Sequence, residues 1–197
     1  ILRGRDIKKY ECDFADQWII NAHNGIKEKG IKPIDINDFP AIKKHLDMYY
    51  DELEKRSDKG DSVYNLRNCA YMEDFYKQKI VWGNLNLNAS YALVPEGYFV
   101  NAPSPFIVPA SNYLLAVLNS KIADYYIRSL GVTRNGGYFE YKPMFVEALP
   151  VPILDEDLEK EISKMLDNRE KYSNEIDNFL FKIYKFTEEE IDFIKTQ

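Results

Sequence analysis

Cysteine and histidine are scarce, with two of each in 197 residues: Cys12, Cys69, His23 and His45. None stands in the short paired spacing that zinc requires, which excludes a structural metal site from the reading. Two thiols without a spacing pattern suit a reducing interior, and the expectation is a soluble, cytoplasmic protein whose thiols stay free. Long apolar runs are missing too. The longest pieces, such as Tyr113 to Leu118, fall far short of the roughly 20 residues that span a bilayer, so no membrane partner is expected. An initiator Met and a charged-then-apolar leader are absent ahead of Ile1, which reads as a start inside a longer polypeptide without a signal peptide.

Catalytic signatures are equally lacking. Gly136-Gly137 is the only glycine pair, and nothing resembles a phosphate-binding P-loop or a dinucleotide fingerprint. There is no nucleophile elbow, no paired-histidine helix, and no Asn-Pro-Pro-aromatic tetrad of the kind that holds an extruded adenine. The acidic residues do not pair with lysine at the spacing of a nuclease metal site. The chain is therefore read as non-catalytic, with no cofactor of its own.

What is present describes a folded domain. An apolar fraction of 45% with 15 Tyr and 11 Phe gives ample surface to bury. Net charge is -6, unevenly placed: residues 151–197 hold 13 Asp/Glu against 7 Lys/Arg, which leaves 19 of each sign in residues 1–150. The acidity belongs to the tail. A neutral body can still turn a basic face toward phosphate, so charge permits a nucleic-acid partner without indicating one.

The pattern along the chain predicts an α+β fold: a small mixed or antiparallel sheet covered by helices, followed by a C-terminal helical extension. Ile7 and Trp18 to Ile20 read as short strands, or as strand and loop, in the opening. Ile42, Leu46, Tyr49, Tyr50 and Leu53 predict a helix over 40–57 that closes at Gly60. Strands are expected at Lys79 to Trp82, Ala89 to Val94, Tyr98 to Val100 and Phe106 to Val108, separated by Asn, Gly and Pro turns. Ser111 is a good N-cap for a helix running to Gly131. Met144 to Ile153 reads as a last strand, with Pro150 and Pro152 marking an exit. A long charged helix over 155–184 follows, and Thr187 with Glu190 forms a capping box for a short final helix. The expected division is a recognition domain over 1–152 and a helical extension over 153–197.

Cations and aromatics gather in the predicted loops: Arg3 and Arg5, then Lys55, Arg56 and Lys59, then Arg67, then Arg134 with Tyr138, Tyr141 and Lys142. This mixture suits double-stranded DNA, because arginine can fork onto guanine while lysine holds phosphates without reading sequence. Each residue taken singly also has a plainer role on a solvated surface. Lys55 to Gly60, at a predicted helix C-terminus, suits a dipole-stabilised cap as well as a phosphate clamp.

Six blocks carry a resemblance. They are LRGRDI at Leu2 to Ile7, PAIKKHL at Pro40 to Leu46, LEKRSDKG at Leu53 to Gly60, YNLRNCAYMEDFYKQKIVW at Tyr64 to Trp82, LLAVLNSKIADYYI at Leu114 to Ile127, and GGYFEYKPMFVEALPVP at Gly136 to Pro152. In this order they resemble the TaqI-like C-terminal specificity domain of type IIG restriction-modification enzymes and related adenine-specific DNA methyltransferases. The resemblance implies a target-recognition domain that reads duplex DNA and helps position an adenine for flipping by a covalently linked N-terminal methyltransferase domain. S-adenosylmethionine would then belong to that missing domain. The candidate DNA-binding residues, read from the loop cations and aromatics, are Arg134, Tyr138, Tyr141, Lys142, Arg67, Arg56, Lys59, Arg3 and Arg5, of which Arg3 and Arg5 have a second reading as ties to the methyltransferase. The tail, with its apolar stripe through Leu158, Ile162, Met165, Ile176, Phe179, Leu180 and Ile183, reads as a packing element. A protein-docking module without DNA contact, and an independent hydrolase or nuclease, are the competing readings.

Overall fold

The computed structural model describes residues 1–153 and 155–197, with the backbone alone given for Glu170, Lys171 and Ser173. The fold is α+β. The chain forms two compact units, the first from Ile1–Gln17 with Asp74–Gln197 and the second from Trp18–Glu73.

The first unit is organised on β1 (Lys79–Trp82), whose β-branched and aromatic residues are buried on both faces. It lies between β3 (Tyr91–Val94) and β4 (Phe106–Ile107), antiparallel to both. Period-two alternation sorts its side chains. Ile80 and Trp82 join Tyr91 in the larger core, whereas Val81 joins Ala92, Val94, Leu2 and Ile7 in a smaller one on the opposite face. The predicted strand from Ala89 begins two residues later, because the Ala89 N–H donates to the Asp124 carboxylate at 2.8 Å. Tyr98 to Val100 shortens to one bridge, between Val100 and Leu2, and the opening contributes bridges at Leu2 and at Ile7 in place of full strands.

A second, two-stranded antiparallel ribbon pairs β2 (Leu85–Asn86) with β5 (Phe139–Glu140). Its register sets Leu85 opposite Glu140 and Asn86 opposite Phe139.

The helix expected over 111–131 is two: α3 (Asn112–Leu118) and α4 (Lys121–Leu130), capped by Ser111 and Ser120. The break has a tertiary cause. Asn119 accepts from the Tyr91 N–H at 3.0 Å and donates to the Tyr91 carbonyl at 2.9 Å, acting as a strand partner for β3. The strand expected from Met144 is instead α5 (Pro143–Val146), followed by irregular chain. Pro143 sits at the first helical turn, where its missing N–H costs nothing, and Pro150 and Pro152 cannot donate to a ladder. The long tail helix divides at Asn168 into α6 (Glu156–Asp167) and α7 (Arg169–Tyr184), and α8 (Glu188–Lys195) follows. Its capping box is formed as expected, with the Thr187 N–H donating to Glu190 at 2.8 Å. Ile162, Leu166, Ile176, Leu180, Phe181 and Ile194 from these helices are buried in the same core as α3 and α4.

In the second unit the helix expected over 40–57 splits into α1 (Pro40–Asp47) and α2 (Tyr50–Lys55), since Tyr49 leaves helical geometry at φ -117° and ψ 20°. Trp18 to Ile20, read as a strand or as loop, is irregular. Polar side chains organise this unit as much as apolar ones. Buried Asn65 donates toward the carbonyls of Ala22, His23 and Ile34, and Asn24 accepts from the Asp61 N–H at 2.7 Å.

Candidate nucleic-acid interface

The ribbon and the chain's opening segment meet in the first unit around a groove of about 570 Å³. Its cations are Arg3, Arg5 and Lys8, its amides include Asn84, Asn86 and Asn88, and Tyr138 closes one side. Gly83 permits the approach that forms it. A Cβ there would lie 3.2 Å from the Gly4 carbonyl and 3.0 Å from the Asn86 side chain.

The cations differ in how they are held. The Arg3 guanidinium forks onto Asp6 at 2.8 and 2.7 Å, and this bond holds the buried carboxyl below its usual range. Lys8 donates to the Arg5 carbonyl at 3.1 Å and, like the exposed Arg5, makes no ion pair among the described residues. Arg3 is a fixed fork; Arg5 and Lys8 are exposed charges.

The loop between Arg134 and Tyr138 turns on Gly136 and Gly137, both at φ 79°, a region closed to most side chains. Arg134, at the start of the loop, and Lys142, two residues past β5's Glu140, converge on that one buried carboxylate, at 2.7 Å from Arg134 Nε and 2.7 Å from Lys142 Nζ. Lys142 first, then Arg134, keep that carboxyl below its ordinary range. Two cations over one anion leave the turn with a surplus positive charge. Tyr138 is 43% exposed, and Leu85 is 49% exposed on the paired strand.

Of the residues expected from sequence, Arg3, Arg5 and Tyr138 thus line one groove, and Arg134 with Lys142 belongs to the ribbon's turn. Tyr141 has a different place: it is fully buried and its hydroxyl donates to Asp124, so it is part of the core. Arg56, Lys59 and Arg67 lie in the second unit. Arg56 clamps a loop by donating to the Val63 and Asn65 carbonyls at 2.9 and 3.1 Å, Lys59 donates to the Glu54 carbonyl at 2.6 Å, and Arg67 is exposed. Sequence reasoning missed Asn84, Asn86 and Asn88. The signal was present in the alternation Asn84-Leu85-Asn86-Leu87-Asn88, which is the period of a strand.

Chemically, the groove offers forked and amide donors and acceptors of the sort that recognise base edges, beside cations that suit phosphates. Among the described residues no three His, Cys, Asp or Glu side chains converge as metal ligands, and no helix is long and apolar enough to cross a membrane. Comparison with curated proteins returns no match. Residues 1–151 match the family pattern of the TaqI-like C-terminal specificity domain, a span that contains the groove, the ribbon and the turn. The chain belongs to the family of TaqI-like C-terminal specificity domains.

Proposed function

We propose that this chain selects the target sequence on duplex DNA for an N6-adenine methyltransferase of a restriction-modification system, and that the β2–β5 ribbon and its adjoining groove do the reading. The observation that carries this is the ribbon itself. A two-stranded ribbon is one of the shapes that the major groove admits, and this one brings Asn84, Asn86 and Tyr138 beside Arg3, Arg5 and Lys8. Exposed Leu85 and Leu87 add apolar surface suited to thymine methyl groups. Membership of a specificity-domain family supports a non-catalytic role. The methyltransferase domain, linked through the N-terminus, would supply S-adenosylmethionine binding, the transfer chemistry and, in a type IIG parent, cleavage.

The test is selection of bound sequences from a randomised duplex library. Asn84→Ala with Asn86→Ala should change the enriched sequence, and Lys8→Gln should lower affinity on every sequence alike. Enrichment of one motif that the asparagine variant leaves unchanged would remove the ribbon from the reading surface.

A second reading, docking of a protein domain, draws on one observation in the second unit. Ile20, Ile34, Ile36, Phe39 and Ile42 line an apolar hollow of about 260 Å³. If the chain enriches no sequence yet captures its methyltransferase domain only while Phe39 and Ile42 are intact, docking is the role.

A further inference from the structure

Beside the base-reading groove lies a second cavity of about 410 Å³ in the same unit, lined by Lys9, Lys121 and Arg128. The two are neighbours along the chain and in space. Lys8 lines one and Lys9 the other, and Asn88 lines both.

The balance of charge in this second cavity is unusual for an acidic protein. Its lining has one acidic side chain, Asp124, and that carboxylate is already engaged: it accepts from the Ala89 N–H at 2.8 Å, from the Tyr141 hydroxyl, and from Arg128 at 3.2 Å. Arg128 also lies 4.0 Å from the centre of the Phe139 ring, which fixes it in place. Lys9 and Lys121 make no ion pair among the described residues. Lys9 sits 5.6 Å from the Tyr10 ring centre, and Lys121 reaches only the Lys195 carbonyl at 3.4 Å. The neighbouring Asp177 is directed to the Lys121 backbone N–H at 3.0 Å. Three cations stand against one bonded side-chain carboxylate, and Gln197, the last residue of the 197-residue chain, also lines the cavity, so that with its terminal carboxylate counted the surplus is one positive charge.

We propose that this cavity is a phosphate site for the DNA backbone, holding the strand that continues past the base-reading groove at Asn88. The inference rests on the DNA reading above. A phosphodiester suits the cavity because it is anionic and continuous with a strand lying in the adjoining groove. Lys9 and Lys121 supply point charges that carry no base preference, whereas Arg128, held by Asp124 and Phe139, shapes the wall.

The test uses the 197-residue chain with Lys9→Gln, Lys121→Gln and the double variant, each checked for unchanged thermal unfolding. Binding is measured on the duplex enriched by wild type and on a scrambled duplex over a range of salt. Each single variant should lose about three- to tenfold in affinity on both duplexes, with the slope of log affinity against log salt shallower by about 0.9 per lysine. An unchanged slope, or an altered sequence preference, would overturn the proposal. If wild type binds no duplex, the recognition reading falls by itself, and the cavity is judged by NMR of the lysine ammonium groups. Perturbation of Lys9 and Lys121 by an abasic single-stranded oligodeoxynucleotide, but not by inorganic phosphate at about tenfold higher phosphate concentration, supports a backbone site. Equal response to inorganic phosphate assigns a free-anion site, and no response to either assigns none; both overturn the proposal.

Discussion

The Trp82 indole Nε1–H donates to the Tyr141 carbonyl at 2.6 Å, across a sequence separation of 59 residues. This bond ties the central strand β1 to the end of β5, and so fixes the ribbon to the sheet. Trp82→Phe keeps an aromatic ring but leaves a buried carbonyl without its donor. Stability should fall by about 2–4 kcal/mol in urea unfolding, and the amides of β5 should exchange hydrogen faster than those of β3. Equal protection in both strands would show that the ribbon holds its place without the bond.

Tyr91 and Tyr141 stack edge to face with ring centres 6.4 Å apart, yet their hydroxyls differ in kind. The Tyr141 hydroxyl donates to Asp124, whereas that of Tyr91 is buried without a hydrogen-bond partner among the described residues. Tyr91→Phe should therefore be neutral or stabilising by up to about 1 kcal/mol, and Tyr141→Phe should cost about 1–3 kcal/mol. Thermal and denaturant unfolding of the two variants side by side checks the order.

Glu140 restrains both cations of the turn. Glu140→Gln removes the anion and releases Arg134 and Lys142 toward solvent. Affinity for duplexes of any sequence should rise by about tenfold at low salt, with a salt slope steeper by about 1, while discrimination between enriched and scrambled duplexes narrows. Unaltered binding would place Arg134 and Lys142 away from the DNA.

The Arg3–Asp6 fork makes an acid-sensitive contribution. Arg3 holds the folded-state pKa of Asp6 below its unfolded value, so the stabilisation is present above the ordinary carboxylate range of about 3.9 and disappears as pH falls through the lowered value. The Tm difference between wild type and Arg3→Gln should be largest near pH 5 and shrink as the pH falls toward about 2. A constant difference across that range would assign the loss to side-chain contacts instead of charge.

Local rules found the elements whose stabilising partners are close in sequence. Lys79 to Trp82 read as a strand from its residue types, Ser111 read as a cap from its hydroxyl, and Thr187 with Glu190 read as a capping box; each is present. The breaks at Asn119 and Asn168 were missed, and the first is explained by Tyr91, a partner 28 residues away that no helical periodicity reveals. The ribbon escaped in part for the same reason: Asn84 to Asn88 alternates like a strand, but its asparagines suit turns and its partners Phe139 and Glu140 lie far along the chain. Tyr141 stands between Glu140 and Lys142 and reads as loop, yet its neighbours bond to one another outside while its own ring enters the core. Arg3, Arg5 and Tyr138 were legible as types suited to DNA; that they share a groove was not.

The core shared by α3, α4 and the tail helices bears on where this protein can be cut. The family pattern ends at residue 151, but Ile162, Ile176, Leu180 and Phe181 lie beyond it and are buried with Leu118, Ile122 and Ile127. Truncation at the end of the matched stretch would strip the outer wall from that core and expose an apolar face broad enough to drive aggregation. If the ribbon reads sequence as proposed, exchange of specificity between relatives would best be attempted by grafting the ribbon and its turn into an intact chain.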